Sequence, residues 1–209
     1  MQDHEEGIGT GGVEDAQTEA NLRAFRAHWE ACRDGQAVPR RAAIDPREIT
    51  PLISNAFIAE RVAPGVVRLR VAGLHLADLM GMEARGMPLS SFIAPDDRES
   101  FARHLVDLFD GPAILRMTLR SPRTLGRPAL SGTLMLLPLR SDLGDVSRAL
   151  GCLVSHGRIG RPVRRFEIAR SETLPLSGAA PVGRARPLQA ITGGARGGAR
   201  SRAQLRVVT

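Results

Sequence analysis

The stretch Val66–Gly86, VVRLRVAGLHLADLMGMEARG, decides how the chain is read. Apolar and charged residues alternate through Val67, Arg68, Leu69, Arg70 and Val71, the period of a half-buried strand. Gly73 breaks the alternation, and Leu76, Leu79 and Met80 then recur at helical spacing. Gly81 and Gly86 stand where turns and helix ends are expected. A strand feeding straight into short helices is the predicted start of a mixed α+β domain.

Upstream, Phe57–Val62 reads as a first strand, joined to the second by the turn Ala63-Pro64-Gly65. A helix is predicted from about Asp15 to Cys32, with Leu22, Phe25 and the only Trp, Trp29, on a narrow apolar face. That face suits packing on its own domain or a dimer contact equally well. Downstream, Asp97–Phe109 reads as a helix with Phe101, Leu105 and Leu108 on one face. Three strands follow. Ala113–Arg120 alternates, Ala129–Arg140 carries the apolar run LMLLPL, and Val146–Ser155 closes the set. Pro138 inside the run implies an edge, an end or a bulge.

All 29 basic residues are Arg, and the net charge is +7. The charge is uneven: residues 1–32 carry seven acids and two Arg, residues 170–209 seven Arg and one acid. Residues 1–14 and 158–209 lack periodicity and are expected to be disordered, leaving the helix 15–35 and a domain over 36–157. No apolar run suits a signal peptide or a membrane span, so a cytoplasmic protein with reduced thiols is expected. Cys32 and Cys152 show no metal-ligand spacing, and no metal site is expected.

Taken together, the Trp29 helix, PRRAAIDP (39–46), LRVAG (69–73), LMGMEARG (79–86), LMLLPLR (134–140) and LGC (150–152) resemble a PAS-like domain of the kind found as stand-alone alphaproteobacterial proteins. The resemblance covers about residues 20–156. It implies a five-stranded antiparallel sheet of order 2-1-5-4-3 with short helices on one face. It implies a non-enzymatic sensory or regulatory module acting through protein–protein interaction, as a homodimer through the N-terminal helix or sheet, or with a signalling partner. A ligand space between sheet and helices would be lined by Phe57, Val71, Leu79, Phe92, Phe101, Leu105, Met117 and Leu136. Nothing polar converges there, so a filled core without cofactor is the expectation.

His104, at the edge of the long helix's apolar face, is the candidate haem ligand, with His75 second; each reads better as a surface histidine. A flavin-adduct thiol lacks its neighbours at both Cys32 and Cys152. Hydrolase, Walker and dinucleotide motifs are absent. Ser155 and His156 are adjacent, and adjacent strand residues point to opposite faces. The alternative reading is a nucleic-acid-associated regulator using the basic tail, where GGARGGARSR (193–202) offers Arg to phosphate.

Overall fold

A computed structural model of the 209-residue chain describes residues 10–176. The elements are α1 (Thr10–Ala31), β1 (Ala56–Ala63), β2 (Val66–Ala72), α2 (Leu74–Met80), α3 (Arg98–Asp110), β3 (Ala113–Ser121), β4 (Leu130–Arg140), β5 (Val146–His156) and β6 (Glu167–Pro175). Short 3₁₀ turns at Arg41–Ala43, Pro46–Leu52, Leu89–Phe92 and Pro95–Asp97 complete the order. All strand pairings are antiparallel, in the order β2-β1-β5-β4-β3-β6.

The first five strands take the expected order, and the sheet has a sixth. Residues 158–176, expected to be part of a disordered tail, instead form a loop and β6, which pairs with β3 from Ala113↔Pro175 to Arg120↔Glu167. The segment EIARSETLP is exposed along most of its length and has no clean alternation, so it carries no strand signal of its own. Its ladder with β3 makes it a strand. Phe166, just before it, is fully buried and bonds by its backbone to Phe92 and Ala94 at 2.8 and 2.7 Å.

The sheet is covered on both faces. Its inner face (Phe57, Leu115, Met117, Leu134, Leu136 and Leu153) packs against α2 and α3. Its outer face (Ile58, Ile114, Met135, Leu137, Leu150 and Cys152) packs against α1 and the Pro46–Leu52 turn. Cover on both sides explains why LMLLPL is apolar without alternation. Pro138 pairs with Ala149 of β5, while the β3 ladder ends at Leu136. A strand residue turns its N–H and C=O to the same side. The Pro138 carbonyl faces the open side, where Trp29 Nε1 donates to it at 2.8 Å, so the missing N–H breaks no ladder bond.

The β1–β2 ladder holds one register shift that changes a side chain's face. Ile58 pairs with Val71, but Ala59 pairs with Leu69, so Arg70 is the extra residue of a bulge. The bulge reverses the phase of the alternation. Val71, expected to face the inner space, points to the outer side and is 55% exposed, and Ala72 packs against the inner core instead.

Two local details position α2 and α3. Gly81 ends α2 at φ 69°, its N–H bonded to the Ala77 carbonyl at 2.7 Å. Asp97, rather than Asp96, stands before α3, and its Oδ2 accepts from the Ile168 N–H at 2.9 Å, tying the helix start to β6.

Candidate ligand core and sheet surfaces

Seven of the eight residues named for the ligand space meet in one buried cluster. Phe57 comes from β1, Leu79 from α2, Phe92 from the turn before α3, Phe101 and Leu105 from α3, Met117 from β3 and Leu136 from β4. Each is at most 1% exposed. Val71 is the exception, for the register reason above. Phe166 belongs to the same cluster and has no sequence signal, because its segment reads as tail.

His104 is half-buried on α3 and outside this cluster. His75, near the start of α2, is half-buried and has its Nε2 3.0 Å from Ser155 Oγ. The partner of Ser155 is thus a histidine eighty residues away, not the adjacent His156, which lies 3.7 Å from Asp15. Among the described residues no carboxylate hydrogen-bonds His75, so the pair lacks the orienting acid of a nucleophile triad. Its evident role is to stitch α2 to the end of β5.

Burial lowers the His75 pKa from its ordinary value, against an opposing pull from Asp78. The folded state therefore resists a proton that the unfolded chain accepts near pH 6.5. Stability is expected to be flat above about pH 7 and to fall as pH drops through about 6.5. Urea midpoints of the parent and His75→Gln across this range check this: the variant should lose the part of the slope that His75 contributes.

Neither cysteine faces the inner core. Cys152 lies on the outer face, fully buried, and burial pushes its thiol up to about 12. Cys32 follows α1, its Sγ 3.2 Å from the Ala43 carbonyl, with its pKa raised by burial and by Asp45. Both are poor thiolates at neutral pH. Among the described residues no group of His, Cys, Asp and Glu is arranged to hold a metal.

The outer face is mostly occupied by the chain itself. Leu22, Phe25 and Trp29 of α1 are at most 1% exposed, and Glu19 pairs with Arg116 of β3. Of the two readings open for this helix, its apolar face is used for packing on its own sheet. What α1 leaves uncovered lies over β1 and β2. A hollow of about 440 Å³ there is lined by Arg41, Ile58, Glu60, Val71, Asp142 and Arg148, with Arg70 at its border, ion-paired to Glu60. A second, of about 610 Å³, shares Arg70 and Val71 and reaches Leu74, 75% exposed, and Arg85. The segment Gly193–Arg202 lies outside the described residues. Among the described residues no helix is long and apolar enough to cross a membrane.

An antiparallel sheet in the order 2-1-5-4-3, crossed on its inner face by a short and a longer helix, is the arrangement that the resemblance implied. The chain belongs to the PAS domain family, whose model matches residues 17–154. Among solved structures, a light-oxygen-voltage domain studied with a flavin analogue is 18% identical, with a TM-score of 0.41, over 54% of this chain and 84% of its own. The light-state structure of the LOV domain of the blue-light photoreceptor Aureochrome1 is 15% identical, with a TM-score of 0.39, over 54% of this chain and 88% of its own. No curated protein matches the chain.

Proposed function

We infer that this PAS-family chain is a non-enzymatic regulatory module of the cytoplasm that acts through protein–protein contact, first with a second copy of itself. The observation that carries this reading is the uncovered part of the outer sheet face. Val71 and Leu74 stand exposed there beside Arg41, Arg70 and Arg148 on one side of the charge balance and Glu60 and Asp142 on the other. A patch holding both signs of charge around apolar residues suits a two-fold contact, in which the same patch serves both partners. The patch borders α2, whose opposite face carries Leu76, Leu79 and Met80 into the inner core. Any change in that core moves α2 and so alters the patch. The filled inner core supports a module that works without a resident cofactor.

Native mass spectrometry of the full chain purified from its host tests this. The expected result is a dimer with no retained small molecule, and a monomer from Val71→Arg. A monomeric parent overturns the dimer, and a dimer untouched by Val71→Arg moves the contact elsewhere. A retained haem, flavin or other ligand overturns the cofactor-free reading.

A further inference from the structure

Two loops at the end of the sheet away from the β4–β5 hairpin concentrate positive charge that no described acid answers. The β3–β4 loop holds Arg123 and Arg127, and the β5–β6 loop holds Arg158, Arg161, Arg164 and Arg165. From Ser121 to Phe166 the only acids are Asp142 and Asp145, both in the β4–β5 hairpin. The ion pairs formed among the described residues use none of these six Arg.

The loops are built as one unit. The Arg161 N–H bonds to the Gly126 carbonyl at 2.9 Å, and Arg127 Nε donates to the Arg161 carbonyl at 3.2 Å. Arg164 is fully buried and donates to one carbonyl from each loop: Pro128 at 2.8 Å and Ile159 at 3.2 Å. Its Nε has no partner. Buried charges are ordinarily paired with an opposite charge, because burial removes their solvation. Here the neighbouring charge is the like-charged Arg127, and both it and burial lower the Arg164 pKa. Around buried Arg164 and half-buried Arg127, the side chains of Arg123, Arg158, Arg161 and Arg165 are exposed.

We propose that the joined β3–β4 and β5–β6 loops are a docking surface for a nucleic-acid phosphate backbone. Arg forks match phosphate oxygens, and an external polyanion offsets the repulsion stored between Arg127, Arg164 and the four exposed Arg. A backbone fits better than an acidic protein surface. The loops present charge with one large exposed apolar side chain, Leu125, and so offer no cluster of apolar anchors of the kind on which protein contacts rest. They also lack exposed aromatics for stacking, so binding is expected to be indifferent to sequence. Residues 177–209 add six Arg and no acid, but β6 carries the chain to Leu176 beside Pro112, at the opposite end of β3 from these loops, so the loop surface is argued from its own residues.

The test uses fluorescence anisotropy of a labelled DNA duplex of about 20 base pairs with the full chain, between about 50 and 200 mM salt. One variant replaces Arg123, Arg158, Arg161 and Arg165 with Gln. These side chains are exposed and make no hydrogen bond, so the fold should keep its circular dichroism. A second variant replaces the six Arg of 177–209. Losing four phosphate contacts is expected to lower the slope of log K against log salt by about 3.6. The loop variant should show that loss, and the duplex should raise the melting temperature of the parent more than that of the variant. No binding by the parent at the lowest salt overturns the proposal. So does a loop variant that binds like the parent while the tail variant does not. Equal competition by pyrophosphate or by a poly-glutamate peptide also overturns it, since either would show a site for a compact anion or an acidic protein.

Discussion

Replacing Trp29 with Ala is expected to cost about 4 kcal/mol, the range seen when a fully buried large aromatic is truncated and its cavity stays open. Trp29 is 0% exposed and lies with Leu22 and Phe25 between α1 and the outer face of the sheet. Its indole N–H also serves the Pro138 carbonyl, which lies beyond the end of the β3 ladder and faces the open side. Removing the indole leaves that carbonyl unpaired as well as the cavity. With net stabilities of about 5–15 kcal/mol, the variant would spend much of the domain's margin. Urea unfolding followed by far-ultraviolet circular dichroism measures it, because the only Trp fluorescence is lost with the substitution. Trp29→Phe keeps most of the packing and should cost about 1–2 kcal/mol, largely the hydrogen bond. A loss below about 1 kcal/mol for Trp29→Ala would mean that α1 is not part of the cooperative fold.

Gly151→Ala is expected to be almost as damaging, for the opposite reason. Gly151 of β5 pairs directly with Phe57 of β1, and the Phe57 ring lies over the glycine where a Cβ would stand. A methyl there overlaps Cε1, Cε2 and Cζ of the ring. The ring is hemmed in by the inner core and cannot swing clear without shifting its neighbours. Overpacking of this kind costs about 3 kcal/mol. Phe57→Ala alone should cost about 3–5 kcal/mol through its cavity. The double variant should lose less than the sum of the two by more than about 1 kcal/mol, since the added methyl then enters the space left by the ring. Additive losses would show that Phe57 does not lie over Gly151.

Much of the inner core was legible in the sequence. The spacing of Phe101, Leu105 and Leu108 puts them on one face of α3, and alternation puts Leu115, Met117 and Leu119 on one face of β3, whatever those faces meet. The resemblance supplied what they meet, and seven of its eight lining residues come together. Val71 escaped because a bulge at Arg70 is a property of two strands in register, and one strand's alternation carries no trace of it. Phe166 and β6 escaped because Glu167–Pro175 has little apolar content to announce a strand; it is ordered by β3's free edge. The His75–Ser155 contact joins α2 to β5 and has no local signature.

Local patterning determined which residues form α1, α2, α3 and β1 to β5, the order in which they follow, and which side of most of them is apolar. These depend on backbone stereochemistry and on periods of about 2 and 3.6 residues, which neighbours along the chain are enough to set. Tertiary structure decided the rest. It placed the Trp29 face on the chain's own sheet, turned Val71 outward, added β6 to the edge, and joined two Arg-rich loops across the fold. Each of these depends on groups distant in sequence meeting in register, and burial or a shared hydrogen bond exists only once they have met.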